Sequence, residues 1–164
     1  MIEPNPSTDQ VLSILMDDAP LAQERLLNAL RRRADRVISI TTTRERESDA
    51  VWVTVVVPGA RSVAEAVGRH LAKLVEVREV AVLAPGDFVG LQLALVSVYA
   101  SGSAQDEASD ILSQVGARLL KITPTELCAQ LTDCPETVDV VVRSLERIGK
   151  TRALRAGLVA FAGA

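Results

Sequence analysis

The sequence predicts an α+β protein made of two similar units, each with the element order βαββαβ. Three observations support this prediction. Runs of β-branched residues alternate with segments whose apolar residues recur at helical spacing. The same order occurs twice along the chain, and the turn signal Ala84-Pro85-Gly86 separates the halves. We expect each half to form a four-stranded antiparallel sheet with two helices on one face, which is a ferredoxin-like arrangement.

The first half opens with an apolar run at residues 11–16, which predicts a strand. Asp18 is expected to cap the helix that follows, and Pro20 suits the first helical turn because it lacks an N–H. Two β-branched runs, residues 37–43 and 50–57, flank a polar hairpin turn. Apolar stripes predict the two helices: Ala22, Leu26, Ala29 and Leu30 in the first, and Val63, Val67, Leu71 and Leu74 in the second.

The last strand of the first half has an interrupted pattern. Val75 and Val77 share one parity, whereas Val80 and Val82 share the other. We expect the second helix to run into Val75 and the strand to begin near Val77. The register of this strand stays open, because one slip moves every side chain to the opposite face.

The second half repeats the order. Residues 93–99 predict a strand that is apolar on both faces, and residues 118–122 and 125–131 predict two short strands around a Thr-Pro turn. Residues 153–160 are expected to close the sheet as one strand. The two helices are predicted from Ala108, Ile111, Leu112 and Val115, and from Val138, Val141, Val142, Leu145 and Ile148. The predicted domains are therefore residues 10–84 and 87–164.

The composition excludes several classes of protein. The 164 residues are 48% hydrophobic, so the chain can bury enough apolar surface to fold. Only four residues are aromatic and the formal net charge is −3, which disfavours both stacking on single strands and nonspecific duplex binding. No nucleic-acid partner is expected. The free faces of the two predicted sheets instead favour contact with the other unit or with a protein partner.

The sequence predicts a cytoplasmic protein without a membrane span. Residues 1–10 are polar and acidic, unlike a signal peptide. The longest uncharged run, residues 88–105, contains glycines and serines and is a poor spanning helix. Cys128 and Cys134 can form neither a disulfide framework nor a zinc site alone, and we expect them to be reduced thiols.

No motif in the sequence predicts catalysis or a metal site. The single histidine, His70, lies inside a predicted helix without a phosphate-binding loop, so we interpret it as structural rather than as a phosphoryl nucleophile. The acidic pairs Asp17-Asp18 and Asp106-Glu107 stand at helix starts, where carboxylates favour capping. An arginine cluster admits three interpretations, namely a solvated helix end, a docking patch or an anion site: Arg31, Arg32, Arg33, Arg36, Arg44 and Arg46.

Collinear segments along the chain resemble the small, regulatory subunits of acetolactate synthase (acetohydroxyacid synthase), whose first domain is an ACT domain. The resemblance extends from Leu12 to Gly163. Its segments are Leu12-Ser13-Ile14-Leu15, the Asp18-x-Pro20 turn with Arg25 after it, Leu71-Ala72-Lys73-Leu74-Val75-Glu76-Val77 with Val80, Leu93-Ala94-Leu95-Val96-Ser97-Val98, Ile122-Thr123-Pro124, and Arg155-Ala156-Gly157-Leu158-Val159.

This resemblance implies a regulatory subunit and not an enzyme. The family forms homodimers whose ACT domains pair edge to edge. It also binds a separate large catalytic subunit, which carries thiamine diphosphate, Mg²⁺ and FAD and makes acetolactate in branched-chain amino-acid biosynthesis. The small subunit raises that activity and in most members confers allosteric inhibition by valine. No cofactor is therefore expected in this chain.

The sequence departs from the family at the positions that the resemblance assigns to the amino-acid effector, which are Asp18, Ala19, Pro20, Leu21 and Arg36. The glycine that lets valine approach the first helix is Leu21 here. The glycine–aromatic–asparagine segment before the second strand is Ala34-Asp35-Arg36, so Arg36 replaces the asparagine that would hold the ligand. The Arg-Glu pair before the first strand of the C-terminal domain is Leu91-Gln92.

We therefore expect a subunit that activates a large subunit but senses valine weakly or not at all. Two alternatives stay open. In one, Arg36 pairs with Asp18 or Asp35 and fills the site permanently. In the other, Arg36 recruits an acidic effector. A different function, a free-standing ACT-type sensor of another enzyme or a transcription factor, is disfavoured because it needs an intact ligand turn, which Leu21 interrupts.

Overall fold

The computed structural model describes residues 9–34, 36–84 and 86–162, which form two compact units. Of the described residues, the N-terminal unit contains those from 9 to 89 together with 158–162, and the C-terminal unit contains residues 90–157. The predicted domains placed residues 158–162 in the second domain, whereas in the structure they pack on the first. Among the described residues, no helix is long and apolar enough to cross a membrane.

The N-terminal unit has the predicted order of elements. They are β1 (Gln10–Asp17), α1 (Ala22–Arg31), β2 (Ser39–Arg44), β3 (Ala50–Val57), α2 (Arg61–Leu71) and β4 (Val77–Leu83). The strands lie in the order β2-β3-β1-β4, and every pair is antiparallel. This is the strand order of a ferredoxin-like sheet, with β2 and β4 at the two edges.

The C-terminal unit repeats this arrangement. Its elements are β5 (Phe88–Tyr99), α3 (Ser103–Gln114), β6 (Arg118–Thr123), β7 (Glu126–Asp133), α4 (Pro135–Ile148) and β8 (Lys150–Arg155), and its strand order is β6-β7-β5-β8. A short strand, β9 (Val159–Ala162), also pairs with β5. The predicted α+β fold with two tandem βαββαβ units is thus confirmed.

Each unit has its own core between the sheet and the two helices. In the N-terminal unit, alternate residues of β1 and β3 meet the apolar stripes of α1 and α2, as the spacing predicts. In the C-terminal unit, α3 and α4 cover β5 and β7 in the same way. Helix α4 begins after Cys134 with Pro135 at its first position, where the missing N–H costs nothing.

The interrupted pattern of β4 has a structural cause. Met16 pairs with Val77 and Leu15 pairs with Glu79, so Arg78 is an extra residue and forms a bulge. The strand begins at Val77 as predicted. The prediction that the preceding helix runs into Val75 is wrong, because α2 ends at Leu71 and a turn follows in which Val75 is 94% exposed.

The prediction of one closing strand over residues 153–160 is also wrong. Strand β8 ends at Arg155, residues 156–158 lie outside any strand, and β9 begins at Val159; we call residues 158–162 the C-terminal strap. Leu158 of the strap is buried against Val11, Val56 and Leu83 on the face of the N-terminal sheet opposite the helices. Part of the sheet face that the sequence left uncovered is therefore covered by the chain itself.

Candidate functional site

The turn between β1 and α1, residues 18–21, contains four of the five predicted effector positions. Its backbone is anchored at both ends. The amide of Asp18 donates to the carbonyl of Asp49 at 2.9 Å, and the amide of Ala22 donates to the carbonyl of Ala19 at 3.1 Å. Pro20 and Leu21 are exposed, whereas Asp18 and Ala19 are half-buried. The turn therefore presents its second half to the surface.

Leu21 has the backbone conformation of a glycine. Its φ is +62° and its ψ is +6°, and it is the one non-glycine residue of the described chain with a positive φ. This left-handed conformation costs a residue with a Cβ about 1–2 kcal/mol. Leu21 precedes α1 directly, and its carbonyl accepts the amide of Arg25 at 3.0 Å. The turn thus keeps a shape suited to glycine while a leucine side chain, 60% exposed, stands at the start of the helix.

The prediction that Asp18 caps α1 is wrong. The helix begins at Ala22, and the residue at the cap position, Leu21, makes no side-chain hydrogen bond to it. Asp18 lies too early in the turn to reach the first free amides. Its carboxylate instead accepts from Nε of Arg44, the last residue of β2, at 2.8 Å. A charged partner at the end of the edge strand β2 takes the place of the helix amides.

Arg36, the fifth predicted position, lies between α1 and β2 and is exposed. Within the described part of the chain it forms no ion pair and no side-chain hydrogen bond. The structure does not pair it with Asp18, whose carboxylate is bonded to Arg44. Its other proposed partner, Asp35, lies outside the described residues. Of the arginine cluster, Arg44 is the member that contacts the turn.

Sequence reasoning assigned no contact to two arginines that hold the turn and the end of β1. The guanidinium of Arg25 is 2.6 Å from a carboxylate oxygen of Glu76 and 3.1 Å from the carbonyl of Pro20, so it ties the turn to the segment before β4. Arg78, the bulged residue of β4, pairs with Asp17. Both contacts join residues more than fifty positions apart, so no local spacing could have revealed them.

The remaining candidates do not assemble into a reactive site. His70 lies half-buried in the last turn of α2. Cys128 on β7 and Cys134 before α4 are free thiols. Leu91 and Gln92 lie inside β5 rather than before the first strand of the unit. The side-chain amide of Gln92 donates through Nε2 to the backbone carbonyl of Ala156 at 3.0 Å. Over residues 9–34, 36–84 and 86–162, no group of three metal-ligating side chains comes together.

A family model described as the small subunit of acetolactate synthase matches residues 91–163. The chain is also similar over nearly its whole length to curated proteins of that name. It is 26% identical to the acetolactate synthase isozyme 3 small subunit of Salmonella typhimurium, covering 92% of this chain and 93% of that one. It is 26% identical to the probable small subunit of Methanothermobacter thermautotrophicus, covering 98% and 96%.

Among solved structures, the chain is similar to the acetolactate synthase small subunit of Thermotoga maritima. The two share 20% identity with a TM-score of 0.76, over 94% of this chain and 96% of that one. This likeness supports the fold with its two units.

Proposed function

We propose that this chain, which belongs to the family of acetolactate synthase small subunits, binds a separate catalytic subunit and raises its activity without catalysing a reaction itself. The observation that carries the proposal is the similarity to proteins of this name over more than nine-tenths of the chain. Thiamine diphosphate, Mg²⁺ and FAD would then belong to the catalytic subunit. The two units would supply surfaces for docking. The protein would act in the cytoplasm.

An acetolactate assay tests this function. The candidate catalytic subunit would be assayed alone and with increasing amounts of this chain. We expect the rate to rise and to saturate at a fixed ratio of the two subunits. A rate that is unchanged at every ratio, with both proteins folded, would contradict the proposal.

We further propose that the chain forms a homodimer through the edge of the N-terminal sheet. Strand β2 is an edge strand, and unpaired edge groups are free to bond a second strand. Beside this edge lies an apolar groove lined by Leu27, Leu30, Val37 and Ile40. Leu27 is 43% exposed although it is a leucine on a helix that faces a core. Edge-to-edge pairing would cover this groove in both copies.

Sedimentation equilibrium tests the dimer. Leu27→Asp places a charge in the groove, and we expect it to shift the chain to monomers. Val63→Asp on α2 is the matched control, because Val63 is a similarly exposed aliphatic residue outside the groove. A dimer that survives Leu27→Asp, or is lost equally in both variants, would contradict the use of this edge.

Weak or absent valine sensing is the third part of the proposal. It is supported by the leucine side chain at the start of α1 and by the pairing of Asp18 with Arg44. A leucine side chain at this position would crowd a ligand carboxylate that approached the first helix amides. Isothermal titration of the chain with valine should show no binding at micromolar concentration. Titration with a dicarboxylic amino acid would detect an acidic effector held by Arg36.

A further inference from the structure

The C-terminal sheet has one face that neither helix of its unit covers, which we call the open face. On this face, Leu95 of the inner strand β5 is 44% exposed, and Leu120 of β6 and Leu154 of β8 are 50% and 57% exposed. They line one shallow depression together with Ser97, Cys128 and Arg152. Apolar area left in water costs about 25 cal/mol per Å², so a cluster of exposed leucines indicates a surface that is covered in use.

The strand register shows that this face is basic. Arg152 lies opposite Ser97 and Lys150 opposite Tyr99 on the pair β5–β8. Across the pair β6–β7, Lys121 lies opposite Cys128 and Arg118 opposite Gln130. Residues that face each other across a pair point to the same side of the sheet. Four exposed cations therefore surround the leucines: Arg118, Lys121, Lys150 and Arg152.

None of these four cations forms an ion pair with another described residue. Among the described residues, the one carboxylate on the face is that of Glu126, and it is held by neutral donors. It accepts the hydroxyl of Ser97 at 2.6 Å, and Sγ of Cys128 lies 3.7 Å away. The Ser97 hydrogen bond and the charge of Lys121 hold the pKa of Glu126 below its ordinary value. The positive charge of the face is thus left for a partner, in a chain whose formal net charge is −3.

This charge decides which occupant fits. Two copies of the open face placed together would oppose like charges, which is unfavourable for a symmetric interface. An anionic membrane would suit the cations, but its surface binding relies on apolar side chains that protrude into the lipid. Here the leucines line a depression instead of protruding from the surface. A protein surface with carboxylates around an aliphatic centre matches both features.

We propose that the open face of the C-terminal sheet docks an acidic, aliphatic surface of a protein partner, with carboxylates on Arg152 and Lys150 and aliphatic side chains on the leucines. This inference rests on the proposed function, which makes the partner the catalytic subunit. Because the cations lie around the leucines, the carboxylates would fix orientation while aliphatic burial supplies most of the contact area.

The test measures binding of the full-length chain to the purified catalytic subunit by biolayer interferometry. Arg152→Glu reverses one charge of the face, and Leu154→Gln removes one aliphatic contact. Both side chains are exposed, so we expect the variants to fold like the wild type. Arg147→Glu on α4 is the matched control, because it makes the same charge change on the helical side of the same unit. We expect about a tenfold loss of affinity for each open-face variant and less than twofold for the control.

The outcomes separate this inference from the proposed function. If the wild type does not bind the catalytic subunit, the proposed function fails. If the wild type binds and both open-face variants bind within twofold of it, the open face is not the docking surface and the proposed function stands. If Arg152→Glu changes the mass of the homodimer, the face belongs to the contact between two copies of the chain. If the wild type alone pellets with phosphatidylserine vesicles, the face binds a membrane. Either result would overturn the inference.

Discussion

The carboxylate of Asp18 accepts Nε of Arg44 at 2.8 Å, which joins the turn after β1 to the last residue of β2. Two consequences follow. The turn that the resemblance assigns to an effector is bonded within the chain itself, and Arg36 is left without this partner. A ligand carboxylate at the turn would also approach the negative charge of Asp18. Any anionic effector would therefore need Arg44 or Arg36 to offset that repulsion.

This ion pair should contribute little to stability. The Arg44 side chain is 69% exposed and that of Asp18 is 27% exposed, so water screens their attraction. A double-mutant cycle of Asp18→Ala and Arg44→Ala, followed by urea unfolding, should give a coupling free energy of about 0.2–1 kcal/mol. The coupling should shrink in 1 M salt. A coupling that is unchanged by salt would indicate a contact other than an ion pair.

Leu21→Gly should stabilise the chain. Glycine adopts the positive φ of this position without the steric cost that a Cβ carries, and the largely exposed leucine side chain loses little buried area. We expect the free energy of unfolding in urea to rise by about 0.5–1 kcal/mol. Leu21→Val is the control, because a β-branched residue is less tolerated at positive φ, and it should lower the same quantity. A glycine variant less stable than the wild type would refute the strain at this turn.

Two glycines should respond to alanine in opposite directions. A Cβ at Gly149 would stand 2.3 Å from the carbonyl oxygen of Tyr99, so β5 and β8 would have to separate. At Gly68, inside α2, the nearest atom would be 3.4 Å away on the Val80 side chain. We expect Gly149→Ala to destabilise by about 1–3 kcal/mol. Gly68→Ala should stabilise by about 0.5–1 kcal/mol through helix propensity. Thermal unfolding of both variants measures whether the free energy of unfolding falls for Gly149→Ala and rises for Gly68→Ala.

Much of the fold could be predicted because its signals are local. Helical stripes and strand alternation depend on neighbours within about seven residues, and they gave the order of elements in both units. The slip of parity at Arg78-Glu79 even marked the bulge in β4. The C-terminal strap could not be predicted, because Leu158 is placed by contacts with β1, β3 and β4, far away in the sequence.

Two structural details of the turn at residues 18–21 could not be predicted from the sequence. The resemblance to the family pointed to the turn of residues 18–21 and to the departure at Leu21, and their role at an effector site stays a prediction. It did not reveal that Leu21 keeps a positive φ, because that conformation is unusual for leucine. Nor did it reveal the partner of Asp18, because the charged residues nearby, including Arg36, were equally plausible until the strands were placed.

The hydrogen bond between Ser97 and Glu126 should make stability depend on pH. The pKa of Glu126 lies below its ordinary value of 4.5, mainly because of the Ser97 hydroxyl. A lowered pKa stabilises the fold above pH 4.5, and the stabilisation disappears as the pH falls through the pKa of the folded state. Ser97→Ala should therefore be less stable than the wild type at pH 7, and the difference should narrow by pH 3.

Urea unfolding at several pH values measures this difference, and carbon NMR of the Glu126 carboxyl should show its pKa rising in Ser97→Ala. Ser113→Ala is the control, since that hydroxyl donates to the backbone carbonyl of Ser109. Its effect on stability should not vary between pH 3 and pH 7. If the stability difference between Ser97→Ala and the wild type were the same at pH 3 and pH 7, the Ser97 hydroxyl would not act through the charge of Glu126.

Leu158→Ala should destabilise the N-terminal unit, although Leu158 follows the whole C-terminal unit in the sequence. Its side chain is 2% exposed and packs on Val11, Val56 and Leu83. Removing it should cost about 2–3 kcal/mol, at the lower end for a buried leucine because the strap can settle into the gap. Trp52, the single tryptophan, lies on β3, so its fluorescence during urea unfolding reports on this unit.

Phe161→Ala is the control, because that strap residue is 78% exposed and its removal should leave the urea midpoint of Trp52 fluorescence unchanged. If Leu158→Ala also left the Trp52 midpoint unchanged, the strap would not be part of the N-terminal core.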